Sequence, residues 1–180
     1  TIREPGSFNG LDWVLDHQSR SNKNEIAAPR IFPYVGFGQG ETGPFLTEEA
    51  TRNWVKKIAR QGASGIKFFG APANIMQAAL DEAGKQGLGS AMHHAQLDVV
   101  NWNVLDSARA GLTSMEHWYG LPEAMFEDKV IQDYPLDYNY SNEQHRFGEA
   151  GRLWAQAAQP GSEKWNQVRD ELISLDFTIN

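Results

Sequence analysis

Short apolar runs alternate along this chain with segments whose apolar residues recur at helical spacing. Three runs are the clearest strand candidates: Gly65–Phe69, Gly89–His94 and Leu112–His117. Each run has the length of a buried strand, and each is followed by a segment with a helical pattern. Strands that alternate with helices predict an α/β fold built on a parallel sheet.

The same pattern predicts three further strands and the helices between them. The additional strands are Thr1–Arg3, Arg30–Gly36 and Phe177–Asn180. The predicted helices span Phe8–Arg20, Thr47–Gly62, Asn74–Lys85, Asp98–Ala110, Pro122–Gln132, Asn142–Ala158 and Ser162–Leu175. Thr47 and Asp98 have side chains suited to the N-terminus of a helix, and Gly62 is suited to a C-terminus. Glycine-rich residues 36–44 and tyrosine-rich residues 133–142 predict loops.

Potential metal ligands recur at the ends of the three clearest runs. Lys67, His94 and His117 are separated by about one strand–helix unit each. In a β/α barrel the carboxyl ends of the strands meet at one rim, which is where catalytic groups of such barrels lie. The recurrence therefore predicts a metal centre at the rim of a barrel.

Composition narrows the chemistry that this chain can perform. Apolar residues make up 41% of the chain and charged residues 22%, as in an ordinary globular protein. The net charge of −7 gives no support for binding to nucleic acid. Cysteine is absent, so thiolate ligands and disulfides are excluded. No stretch has the roughly 18 apolar residues of a membrane span, and nothing in the sequence indicates a compartment.

Three segments in order resemble the amidohydrolase superfamily, most closely its imidazolonepropionase-like and prolidase-like branch. They are Gly62–Lys67, with its Ile-Lys pair, Met92–Gln96, with His directly before Ala, and Ala110–His117, which ends Ser-Met-Glu-His. Thr1–Gly6 and Pro29–Ile31 are similar to the family's second strand and to the lead into its third. The resemblance covers about residues 1–119. It implies a (β/α)8 barrel and a hydrolase of amide, lactam or peptide-like C–N bonds.

The resemblance also implies roles for individual residues. Lys67 would be a carboxylated lysine that bridges two divalent metals, most readily zinc, and His94 and His117 would bind the second metal. The metals would activate water for attack on a carbonyl carbon. Adjacent strand residues face opposite sides, so we expect His93 to pack between sheet and helix and Glu116 to face the helices. Trp118, Tyr119 and His145 are candidates for contact with a small-molecule or peptide-like substrate.

Two expected parts of the family pattern are missing. The His-x-His pair of the first strand does not occur, and neither does the aspartate of the eighth strand, which would serve as ligand and base. We therefore expect an internal fragment that holds strands two to seven of the barrel and is inactive alone. Residues 1–119 would supply the β/α units, 120–175 a helical insert after strand six, and 176–180 the start of the next strand.

Two other functions stay open at this point. A mononuclear deaminase of the same superfamily is one, although a bridging lysine carbamate indicates two metals. A metal-free binding or scaffold protein on a decayed barrel is the other, and the missing ligands favour it. Oligomeric state, metal identity and substrate have no signal in the sequence.

Overall fold

Six parallel strands form one sheet in the order of the sequence in the computed structural model, which describes residues 1–180. The strands are β1 (Ile2–Pro5), β2 (Ile31–Gly36), β3 (Gly65–Phe68), β4 (Gly89–His93), β5 (Ser114–Glu116) and β6 (Thr178–Ile179). The helices are α1 (Leu11–Asn22), α2 (Glu48–Gln61), α3 (Ala73–Lys85), α4 (Val104–Arg109), α5 (Leu121–Ala124), α6 (Glu143–Gly148), α7 (Ala150–Trp154) and α8 (Glu163–Ser174). The predicted α/β class is confirmed.

The sheet curls into a half-barrel, as one contact across its concave face shows. In a flat sheet β1 and β5 would lie about 19 Å apart, because neighbouring strands are spaced by ~4.8 Å. No arginine side chain spans that distance. Yet Arg3 on β1 donates to the Ser114 hydroxyl on β5 at 2.7 Å and forms an ion pair with Glu116. The curled sheet agrees with a partial barrel, whereas the numbering of its strands as two to seven stays a prediction.

Two glycines make room for a tyrosine inside the curl. Tyr34 on β2 pairs with Gly65, which in turn pairs with Gly89 on β4. A Cβ atom on Gly65 would overlap the Tyr34 ring and lie 2.6 Å from the carbonyl oxygen of Gly89. A Cβ atom on Gly89 would overlap the Tyr34 hydroxyl. The Arg3 guanidinium lies 5.3 Å from the centre of the same ring, so these residues fill the concave face.

We expect Gly65→Ala to lower the free energy of unfolding by about 1–3 kcal/mol, because the added methyl group overpacks this face. Gly84→Ala is the matched control: its Cβ would meet nothing within 4 Å inside α3. The control should gain about 0.5–1 kcal/mol from its better helix propensity. Denaturant unfolding measures both. Equal stabilities of Gly65→Ala and wild type would contradict the packing described here.

The main hydrophobic core lies between the convex face of the sheet and helices α2 and α3. Its members include Ile66 and Phe68 from β3, Trp54 from α2 and Met76 from α3, all nearly inaccessible to solvent. As predicted, Thr47 begins α2, where its hydroxyl accepts from the Ala50 amide at 3.2 Å. Gly62 ends the helix at φ +100°, a backbone angle that glycine adopts without strain. The packing of α2 and α3 thus fixes the positions of β3 and β4.

Pro33 does not interrupt β2, although proline removes a donor from the ladder. The pairing of β2 with β3 begins one residue later, at Tyr34 and Gly65. The Pro33 carbonyl accepts from the Ser64 amide at 2.8 Å. Pro33 therefore lies opposite Ser64, one residue before β3 begins.

Three predicted helices have different boundaries. The helix expected to begin at Asp98 begins at Val104, because the Asn103 side chain caps it and the Asp106 carboxylate accepts from the Asn103 backbone N–H. The helix expected over Pro122–Gln132 ends at Ala124; the next carbonyl, that of Met125, accepts from Ala158 instead. The helix expected over Asn142–Ala158 is divided into α6 and α7, in a segment weakened by two glycines.

Helix α8, which precedes β6, packs against α4 and the convex face of β5. A second apolar cluster joins Met115 of β5 and Leu105 of α4 to Val168 and Leu172 of α8. Residues 125–142 contain no helix or strand. None of the helices combines the length and the apolar character needed to cross a membrane.

Candidate functional site

Lys67 lies at the carboxyl end of β3 with its side chain on the concave face. It pairs with Gly36 on β2 and Ala91 on β4, and only 5% of it is exposed. Its amine lies 5.6 Å from the centre of the Phe69 ring. Gly6, in the turn after β1, leaves room for this side chain: a Cβ atom on Gly6 would lie 3.3 Å from that of Lys67.

The two adjacent histidines of β4 face opposite ways, in the reverse of the orientation that we expected. Ala91 pairs with Lys67, and side chains two residues apart share a face. His93 therefore faces the concave side, where its ring lies 5.9 Å from the ring of Phe69. His94 points to the helices, and its Nε2 lies 2.8 Å from the Ser107 hydroxyl of α4. His93, and not His94, lies at the rim.

A left-handed residue brings the third predicted ligand to the same place. His117 follows β5 directly and would face the helices if the strand continued. Its backbone instead turns at φ +66°, and the ring centre comes to 4.9 Å from that of His93 in an edge-on arrangement. His117 is exposed at the rim. The structure thus brings His117 together with His93 and leaves His94 behind the sheet.

Glu116 faces the concave side and not the helices, which corrects the orientation expected from the sequence. Because Ser114 pairs with Ala91 and Glu116 with His93, these side chains share the inner face. The Glu116 carboxylate forms an ion pair with Arg3 and accepts weakly from the Asn180 amide group at 3.4 Å. Its negative charge also acts on Lys67. Glu116 therefore links β1, β5 and the end of the chain beneath the rim.

Aromatic residues surround the histidine pair. Trp118 lies 6.4 Å from the His117 ring and 5.5 Å from that of Tyr119, measured between ring centres. Tyr119 lies 6.3 Å from His93 and is 5% exposed. The Tyr119 hydroxyl and the Trp118 indole nitrogen are buried without a hydrogen-bond partner. Both predicted substrate residues after β5 therefore lie next to the histidines, with donors that are free.

Helix α6 lies over the loops that follow β4 and β5. Phe147 contacts Trp118 at 5.9 Å, and His145 contacts Tyr138 at 5.2 Å, between ring centres. Tyr138 in turn donates to the Gln96 side chain at 2.5 Å. The His145 Nε2 is buried without a partner. The predicted rim residue His145 is thus tied to the loop after β4.

Burial sets the protonation of the basic groups. Desolvation lowers the pKa of Lys67, and Arg3 lowers it further, whereas Glu116 raises it. Burial lowers the pKa of His93 to about 4, with further lowering by the charges of His117, Lys67 and Arg146. A neutral imidazole has a free nitrogen lone pair, which a metal ligand requires.

The residues at the rim fit a metal in part. No group of three or more His, Asp, Glu or Cys side chains is close enough to hold an ion, so a lysine must complete any set. Two imidazoles on one tetrahedral metal have ring centres about 5 Å apart, given metal–nitrogen bonds of ~2 Å. The 4.9 Å between the ring centres of His93 and His117 agrees with that spacing.

Two residues of the site, His93 and Glu116, were expected from the sequence to face the helices and face the concave side instead. Lys67 faces inward and pairs with Ala91 on β4. His93 lies two residues after Ala91 and therefore faces inward as well. The inward position of Glu116 needed the register with His93.

Comparison with known proteins supports the fold alone. No known family profile matches the chain, and no curated protein matches it. A solved structure of a Xaa-Pro dipeptidase, with methionine bound in its active site, is similar with a TM-score of 0.50. It shares 20% identity over 64% of this chain and 36% of the dipeptidase. The similar region is thus about a third of that enzyme's length.

Proposed function

We propose that this chain belongs to the catalytic barrel of a metal-dependent hydrolase that cleaves a C–N bond in an amide, lactam or peptide-like substrate. The observation that carries this proposal is the convergence of Lys67, His93 and His117 at the ends of three consecutive strands, on one face of a curled sheet. The fold similarity to a peptidase supports it, as does the resemblance of the strand motifs to amidohydrolases.

In this proposal His93 takes the ligand position that the resemblance alone would give to His94. Lys67, as a carbamate, would hold two divalent metals together with His93, His117 and ligands outside these residues. Such metals lower the pKa of a bound water and polarise the substrate carbonyl. The desolvated Lys67 amine is suited to carbamate formation, since the reaction needs the neutral amine. Glu116 forms an ion pair with Arg3 on the same concave face, and its charge raises the pKa of Lys67.

Aromatic side chains beside the histidine pair can exclude water from this site. Trp118 and Tyr119 flank the histidine pair, and Phe147 of α6 packs on Trp118. A substrate with an apolar group beside its carbonyl would bury that group against these rings. No specific observation favours the mononuclear deaminase. Lys67 faces the same concave side as His93, and a lysine carbamate there would bridge two metals, whereas the deaminase needs one.

Metal content and hydrolysis test this function together. We expect the full-length protein to retain two equivalents of zinc or another divalent metal and to hydrolyse peptide-like amides. Lys67→Ala should lose the metal and lower kcat/KM by more than about 1,000-fold, since metal activation supplies most of the rate. Lys85→Ala, an exposed change on α3, is the matched control. Elemental analysis and amide cleavage provide the readouts. A full-length protein without stoichiometric metal would refute the proposal.

A further inference from the structure

Asp98 has a carboxylate without a structural task, since the helix expected to begin there begins only at Val104. The residue is half-buried and takes part in no ion pair; its side chain accepts one hydrogen bond, from the Asn101 amide group at 3.0 Å. A Cβ atom on Gly70 would lie 2.9 Å from the other oxygen, Oδ2. A half-buried carboxylate without a cation costs free energy that a positively charged partner would recover.

Asp98 lines a cavity of about 720 Å³ between the loops that follow β3 and β4. This volume is in the range of pockets that hold small ligands. Asp98 is the only charged residue that lines the cavity, whereas Phe69 and Trp102 contribute aromatic rings and Pro72 an apolar wall. Aromatic rings beside a carboxylate suit an organic cation, because the face of a ring attracts positive charge as well.

Unpaired hydrogen-bond donors accompany the carboxylate. Trp102 is 7% exposed, and its indole N–H is buried without an acceptor in the chain. Helix α3 begins at the same cavity with Ala73, and no side chain caps its first amides. Buried donors are normally paired, and the first amides of a helix have no partner within it. A ligand oxygen close to the cation would supply an acceptor.

We infer that this cavity binds a small organic cation that carries a neighbouring oxygen, such as an amino alcohol, with Asp98 as its charged partner. The inference does not depend on hydrolysis or on a metal. The net charge of −7 favours the approach of a cation. Phe69 also borders the candidate metal site, since its ring centre lies 5.6 Å from the Lys67 amine and 5.9 Å from the centre of the His93 ring.

A pair of probes that differ in one group tests this inference. Phenylalaninol carries an ammonium and a hydroxyl, and its diol analogue has a second hydroxyl in place of the ammonium. We expect the full-length protein to bind the amine about 10- to 100-fold more tightly than the diol, the range for a hydrogen bond to a charged group. Calorimetric titration with a chelator present measures both affinities, so the result is separate from that of the metal assay. Equal affinities, or no binding of the amine, would overturn the inference.

Two carboxylate variants assign the site. Asp98→Asn keeps the shape of the side chain and should reduce the preference for the amine to within about twofold. Asp170→Asn is the matched control, because Asp170 is an exposed residue of α8 that pairs with Arg169; it should keep the full preference. A preference that survives in Asp98→Asn would assign the cation to another residue and refute the role of Asp98.

A variant that fills the cavity gives a second test, which does not involve charge. Ala73 is exposed and lines the cavity at the start of α3. Ala73→Trp should weaken the binding of phenylalaninol by more than about 10-fold, because the indole takes the space of the ligand's ring. Denaturant unfolding of the variant checks that the fold is intact. An unchanged affinity would place the ligand outside this cavity.

Discussion

His93→Gln is expected to abolish metal retention and amide hydrolysis, whereas His94→Gln should keep both. His93 shares the concave face with Lys67 and lies 4.9 Å from the His117 ring, between ring centres. Loss of a residue that merely orients a ligand costs 10- to 100-fold in metal affinity, so loss of the ligand itself should cost more than about 100-fold. His94 lies behind the sheet, against Ser107. Metal titration of full-length protein measures both variants.

The His94 variant should instead show its effect in folding. Glutamine places an amide near the position of the imidazole Nε2 but cannot reproduce its shape, so we expect a loss of about 1–3 kcal/mol in unfolding free energy. We therefore expect His93→Gln to keep its stability and lose the metal, and His94→Gln to lose stability and keep the metal. If His94→Gln lost the metal while His93→Gln retained it, our assignment of the rim histidine would be wrong.

Acid is expected to destabilise the protein through His94. Burial lowers the pKa of His94 to about 3, with smaller effects from His93 and Lys67. The unfolded chain takes up the proton near pH 6.5, whereas the folded chain excludes it until about pH 3. Between these values the unfolded state binds more protons, so stability falls as pH falls. The loss approaches about 1.4 kcal/mol per pH unit, the value for one proton.

The ring has a structural reason to stay neutral. The Ser107 hydroxyl lies within 3.2 Å of two backbone carbonyls and can donate its one proton there. His94 then donates from Nε2 to Ser107, and its buried Nδ1 has no partner. A second ring proton on Nδ1 would therefore find no acceptor, which disfavours the charged form.

Denaturant unfolding from pH 7 to pH 4, in the presence of a chelator, measures this dependence. The difference between wild type and His94→Gln cancels the other titrating groups, among them the carboxylates. The difference should rise with pH over this range, in favour of the wild type. Parallel stability curves would show that His94 does not exclude the proton.

Strands β3 and β4 could be predicted from the sequence because their side chains are buried on both faces. Ile66, Phe68 and Met92 fill the convex core, while Lys67 and Ala91 line the inside, so each of these two strands appears as a short continuous run that begins with glycine. The end of each run, and hence the height of the rim, followed directly. What the runs lack is an alternation that distinguishes the two faces. The orientation of His93 and Glu116 therefore depended on pairing between strands.

The backbone after β5 could not be predicted either. Alternation places His117 on the convex side, and only the left-handed turn at this residue returns its ring to the rim. No turn signal such as glycine or asparagine marks the position. Similarly, the segment over residues 120–158 is held by long-range contacts, such as that of Met125 with Ala158. Local propensity does not contain such contacts, so the division of the helix predicted over residues 142–158 into α6 and α7 came from the structure.

The left-handed backbone of His117 bears on how this protein can evolve. A non-glycine residue held in that region costs of order 1 kcal/mol or more, which glycine would avoid. Selection for folding alone would thus drive this position towards glycine or asparagine. A lineage that keeps histidine at this position has a lower folding stability, and selection for the function of the imidazole ring maintains the residue. In homologous sequences this position therefore distinguishes working copies of the site from those that have lost it.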